Sequence, residues 1–164
     1  MAVEPLWDFA VRVYARPGFE AACLELQDAW HADVPVLIYA LWVGAHGRGL
    51  THVDFEIVVP TVAAWQTNTV AALRSIRRAL RQRDAFEPGF ESTAHSIAAH
   101  LKELELIAER CELEFLETLE CGTPSEYVVP TIAANLASYL DFLKVSLPRF
   151  GQGKRDRLVA SVGA

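Results

Sequence analysis

Thr51-His-Val-Asp-Phe-Glu-Ile-Val-Val-Pro-Thr-Val-Ala-Ala64 admits two readings, and the choice between them sets the fold class. Val53-Asp54-Phe55-Glu56-Ile57 alternates apolar and polar residues, as a half-buried strand does. Phe55, Val58, Val59 and Val62 instead keep helical spacing, and Thr51 can cap a helix. A lone strand finds no partner elsewhere in the sequence, so a helix is expected here. Part of this stretch also recurs. Glu56-Ile-Val-Val-Pro-Thr-Val-Ala-Ala64 is echoed by Glu126-Tyr-Val-Val-Pro-Thr-Ile-Ala-Ala134, with seven of nine positions identical. Proline fixes φ and lacks an N–H, so each copy marks a helix start or a kink. A break near Pro130 with similar geometry at Pro60 is expected.

Working outward, helical periodicity dominates. A first helix is expected over Pro5 to Ala15, with Leu6, Phe9, Ala10 and Val13 on one face. Pro17-Gly18 ends it. A second helix carries Phe19, Ala22, Cys23, Leu26 and Trp30. Asp33 reads as an N-cap, with Pro35 in the first turn of a helix to Ala45 that is apolar nearly all round and therefore central. Trp65 to Arg83 shows the arc Trp65, Thr69, Leu73, Ile76 and Leu80. Asp84 to Gly89 reads as a loop. A long helix, Glu91 to Glu120, carries the stripe Ile97, Leu101, Leu104, Ala108, Cys111, Phe115 and Leu119. Thr123-Pro124-Ser125-Glu126 fits a capping box. A last helix to Leu147 carries Ile132, Leu136, Tyr139, Leu140 and Leu143. The expected fold is all-α: one compact bundle of six or seven helices over residues 1–150, then a disordered, locally basic tail over 151–164.

Composition narrows the function. A length of 164 residues suits one domain with a real core. A net charge of −6 argues against a nucleic-acid binder acting through bulk charge. The longest apolar run, Val34 to Ala45, is too short to span a bilayer. The N-terminus has no signal-peptide pattern. Cys23, Cys111 and Cys121 form no CxxC pair and read as reduced thiols in a cytoplasmic protein.

Three surfaces are candidates for function. Arg74, Arg77, Arg78 and Arg81 lie at i, i+3, i+4, i+7 and share a helical face. That face is either solvated and partly paired with the glutamates of the long helix, or an anion- or partner-binding site. At least two of the four are expected to lack intrachain ion pairs, so that charge reversal of Arg77 and Arg81 weakens partner capture in a salt-dependent way and leaves stability nearly unchanged. Leu106 and Leu113, seven apart and opposite the core stripe, read as an interface with another helix or a second subunit. Trp7, Trp30, Trp42 and Trp65 read as core, or as the lining of a pocket for a small apolar or amphipathic ligand. Among His31, His46, His52, His95 and His100 there is no HExxH, so neither metal nor cofactor is assigned. No acid, base and nucleophile can be grouped, and the chain reads as a non-enzymatic interaction protein, adaptor or regulator, with a protein partner or a second copy.

Leu6-Trp7-Asp8-Phe9-Ala10, Tyr14-Ala15-Arg16-Pro17-Gly18, Cys23-Leu24-Glu25-Leu26-Gln27 and Asp33-Val34…Leu41-Trp42-Val43-Gly44 stand in one order, followed by Trp65 and Leu73-Arg74-Ser75-Ile76-Arg77-Arg78. This pattern, over roughly residues 6 to 120, resembles a family of small proteobacterial proteins catalogued as domain of unknown function 2390. The resemblance implies a bacterial cytoplasmic protein. It brings no activity, cofactor or catalytic residue.

Overall fold

The computed structural model describes residues 4–82, 89–125 and 128–163, with backbone alone for 128–130. Helix accounts for 77% of it. In chain order the elements are α1 (Leu6–Tyr14), α2 (Phe19–Trp30), α3 (Val34–Ala45), β1 (Arg48–Gly49), α4 (His52–Trp65), a π-helical turn (Gln66–Val70), α5 (Ala71–Leu80), α6 (Glu91–Glu117), β2 (Thr123–Pro124), α7 (Val128–Phe142), α8 (Leu147–Phe150) and α9 (Gln152–Ala160). The ambiguous stretch is helical. Its start is fixed by Asp54, whose Oδ2 accepts from the Thr51 N–H and hydroxyl at 2.7 Å each.

Two compact units emerge: residues 1–59 with 113–164, and residues 60–112. The boundaries fall inside α4 and α6. A continuous helix has no linker composition, so sequence patterning cannot mark such a division.

The first unit is organised around α3 and α7. Asp33 caps α3 by accepting from the Val36 N–H at 3.3 Å. The buried Tyr139 hydroxyl accepts from the Asp33 N–H at 3.0 Å and donates to its carbonyl at 2.9 Å. Ten of the twelve residues of α3 are buried, which is what an all-round apolar helix requires. The two helices touch at Gly44, where an added Cβ would lie 2.8 Å from Ile132 Cα. Beside that contact, the fully buried Asn135 accepts from the Leu50 N–H at 2.7 Å and donates to the carbonyls of Ala40 (3.0 Å) and Arg48 (2.9 Å).

Several expectations are corrected in this unit. Thr123-Pro124 does not open a helix. It pairs antiparallel with Arg48-Gly49, and Ser125 N–H donates to the Gly47 carbonyl at 2.6 Å. Glu126, the last residue of the supposed capping box, lies outside the described residues, as does the expected loop over 84–88. The repeated phrase sits differently in its two helices. Pro60 is inside α4, whereas Pro130 is the third residue of α7. A first-turn proline removes an N–H that has no helical partner anyway, so no break is needed there. Helix α7 ends at Phe142, before the left-handed Lys144 (φ 55°). Residues 152–160 form α9 rather than a disordered tail. Its composition is polar and its one buried side chain is Leu158, so no periodic stripe announces it. It is held from outside: Lys154 Nζ donates to Glu25 Oε2 on α2 at 2.5 Å.

Candidate functional site

The second unit is a helical hairpin. One limb is the end of α4, the π turn and α5; the other is α6 as far as Glu112. Trp65 Nε1 donates to the Ala108 carbonyl at 3.0 Å. Arg74 donates to Glu105 Oε1 and Glu109 Oε1, each at 2.6 Å. Arg77 Nε donates to Glu105 Oε2 at 2.7 Å. Partners descend along α6 as they climb the other limb, which is the order of antiparallel helices.

The face of α6 turned inward is not the one its apolar stripe suggests. Ala94, Ala98, Glu105, Ala108 and Glu112 are buried, while Ile97, Leu104, Cys111 and Phe115 are exposed. Alanines let the helices approach, and the arginines of α5 need carboxylates within reach. Residues 60–82 carry four arginines and no acid, whereas α6 carries seven glutamates against Lys102 and Arg110. Ion pairing and small residues have displaced the larger apolar side chains from the contact.

This settles two of the four arginines. Arg74 and Arg77 are ion-paired within the chain, their side chains 12% and 17% exposed. The Glu105 hydrogen bond raises the Arg77 pKa. Burial pushes the Glu105 carboxyl up, but hydrogen bonds from Arg77 and Arg74 outweigh this and hold it below its ordinary 4.5. A carboxylate depressed on folding stabilises the fold above its ordinary pKa and loses that contribution as pH falls through the lower, folded value. Amide exchange in α5 and α6 is therefore expected to accelerate as pH drops below 4.5, after correction for intrinsic rates. Glu105→Gln should remove that part of the pH dependence.

The Leu106/Leu113 pair does not form a stripe. Leu106 is 54% exposed, whereas Leu113 is 3% exposed and belongs to the first unit. The division of α6 between two units gives the two ends of one helix different surroundings.

The tryptophans have separate neighbourhoods. Trp7 is half-buried on α1. Trp30 meets Phe150 edge-on at 6.0 Å, under the Arg149 guanidinium. Trp42 donates to the Glu4 carbonyl at 2.8 Å and stacks near Tyr39. Trp65 belongs to the hairpin. His46 Nδ1 donates to the Trp42 carbonyl at 2.8 Å, and His52 contacts Asp141 at 3.2 Å. Burial pushes the Cys23 thiol up to about 12, which keeps it protonated and unreactive. Among the described residues, no group of three or more His, Cys, Asp or Glu could hold a metal ion, and no helix is long and apolar enough to cross a membrane.

The hairpin exposes Ile76, Ile97 and Leu104, which periodicity places on the core-facing arcs. A helix turns about 100° per residue, so Ile97, Leu104 and Ile107 project to one side of the plane containing α5 and α6. Because the limbs are antiparallel, Ile76 of α5 projects toward the same side. None of these four carries a charge, and Ile76, Ile97, Leu104 and Ile107 are 46–58% exposed. The seven-residue spacing of Ile97 and Leu104 was the available signal, and it reads as part of an inward stripe; Ile107 stands outside that stripe.

A family model described as "Protein of unknown function (DUF2390)" matches residues 5–116, which run from the start of α1 to the end of α6. No curated protein and no solved structure matches the chain. The match covers well over half of the 164 residues, and the chain belongs to the DUF2390 family of proteins of unknown function.

Proposed function

We propose that this is a non-enzymatic interaction protein of the bacterial cytoplasm, an adaptor or regulator, that engages a protein partner through the charge-free side of its hairpin. The observation that carries this reading is the exposure of Ile97, Leu104 and Ile107 together with Ile76. Large apolar side chains clustered on an open helical face mark an interaction site. An anion site built from Arg74, Arg77, Arg78 and Arg81 draws less support, because the first two are engaged by Glu105 and Glu109. A common tryptophan-lined pocket draws less support as well, since the four rings keep different company.

The test is cross-linking and co-purification of tagged full-length protein from its host, with Leu104→Glu/Ile107→Glu as the comparison. The wild type is expected to retain a protein partner, either an untagged copy of itself or another chain, and the double variant to lose it at least tenfold while keeping its far-UV circular dichroism. Equal retention by both overturns the proposal, as does recovery of a bound small molecule with no protein.

A further inference from the structure

We propose that the π-helical turn Gln66–Val70 is a register switch within the hairpin. With the turn in place, α5 sets Arg74 and Arg77 against α6. In a second register, without it, α5 sets Leu73 and Ile76 there instead, and the charge of Glu105 selects between the two. The inference goes beyond the interaction reading and does not depend on it.

The turn decides which residues of α5 face α6. Its hydrogen bond spans five residues, from the Ala71 N–H to the Gln66 carbonyl, so it takes in one residue more than an α turn. Everything after it is turned back by about 100°, the angle of one residue. Measured from Val62, an unbroken α-helix would put Arg77, Val70 and Arg74 about 60°, 80° and 120° away. With the π turn all three fall within about 40° of Val62. The contacts agree. Val62 and Val70 are 2% and 0% exposed, and both arginines reach Glu105.

The same residues carry a second inward face. In an unbroken helix each direction is taken by the residue one earlier: Thr69 for Val70, Leu73 for Arg74 and Ile76 for Arg77. With Trp65 and Leu80, these form the arc that periodicity selects over residues 65–83. Trp65 precedes the turn, so its bond to the Ala108 carbonyl belongs to both registers. In the second register Ile76, now 52% exposed, is covered by α6, and the four arginines turn away from it.

Glu105 distinguishes the two. It is 6% exposed and accepts from Arg74 and Arg77. Facing Leu73 and Ile76 it would be a buried charge without compensation, so its ionised form holds the π register. Packing holds it weakly. No residue of α5 is buried, and Thr67 and Asn68 in the turn are exposed. Turning α5 by one residue therefore exchanges Val70 for Thr69 and dismantles no packed core. Two packings of similar free energy are what a bistable element requires.

The test is alkylation of Ile76→Cys by N-ethylmaleimide in the full chain, with Cys23, Cys111 and Cys121 read separately by peptide mass spectrometry. Position 76 is exposed in the π register and should react freely. Adding Glu105→Met is expected to slow it about tenfold or more, as the position turns onto α6 and reacts only through local opening. Deleting Asn68 as well should restore the fast rate. A π turn short of one residue becomes an α turn, and α5 then keeps its present direction without the switch. If circular dichroism shows that Glu105→Met does not fold, Glu105→Gln replaces it, with the same slowing expected. Unchanged reactivity on neutralising Glu105 overturns the proposal, since α5 then has one register whatever faces it. Slowing that the Asn68 deletion does not reverse overturns it too, because the protection then has a source other than rotation of the helix.

Discussion

Asn135→Leu is expected to cost about 3–6 kcal/mol, a large part of the total stability of an ordinary domain. The side chain is fully buried and makes three hydrogen bonds to backbone groups: the Leu50 N–H, the Ala40 carbonyl and the Arg48 carbonyl. Leucine matches its volume and answers none of them. Each orphaned buried group costs about 1–3 kcal/mol. The effect should reach beyond one residue, because Asn135 joins α7 to α3 and to the chain entering α4. Urea unfolding followed by circular dichroism measures it. Asn135→Asp is the informative companion. It keeps the acceptor for Leu50 but turns both donated bonds into carboxylate facing carbonyl, and should be no better tolerated than leucine. A loss below about 1 kcal/mol, the value of a single ordinary hydrogen bond, would mean that the three groups find other partners.

Arg74→Met/Arg77→Met is expected to cost about 3–5 kcal/mol, the range for stripping a buried carboxylate of its partners. Glu105 is 6% exposed and accepts from both arginines, so removing them leaves its charge uncompensated inside the hairpin. Adding Glu105→Met should recover most of the loss, since replacing a buried ion pair with apolar side chains of similar size is often neutral. The loss should be local, seen as faster amide exchange across α5 and α6. If the arginine double variant is as stable as the wild type, the Arg–Glu cluster is a surface network of little consequence. The sequence alone suggested near-neutral charge reversal at this face, because four arginines in a row read as solvated or awaiting a ligand. Burial of Glu105 reverses that expectation for Arg74 and Arg77.

What the sequence by itself determined is the local level. Helices α1 to α3 follow from short-range rules that need no partner: Pro17-Gly18 stops one helix, Asp33 caps another, and an all-round apolar run must be central. The helical state of Thr51–Ala64 was legible for a related reason, since periodicity at Phe55, Val58 and Val62 outweighed a five-residue alternation. The arginine face and the acidic helix were each visible as charge patterns.

Tertiary structure decided which face of a helix turns inward. On α6, Ile97 and Leu104 of the apolar stripe are exposed, while Glu105 is buried. Hydrophobicity ranks those faces wrongly because the opposite limb brings arginines that must be paired, and pairing across two helices is invisible to periodicity within one. The same holds for α9, whose helix depends on contacts with residues more than a hundred positions away, such as Lys154 with Glu25. It holds for Arg48-Gly49 with Thr123-Pro124, two-residue strands that no propensity marks. The division of the chain inside α4 and α6 is likewise a matter of what packs on each half of a helix. Caps, turns and periodicity act over a few residues and can be read along the chain; partners brought together from distant positions exist only once it has folded.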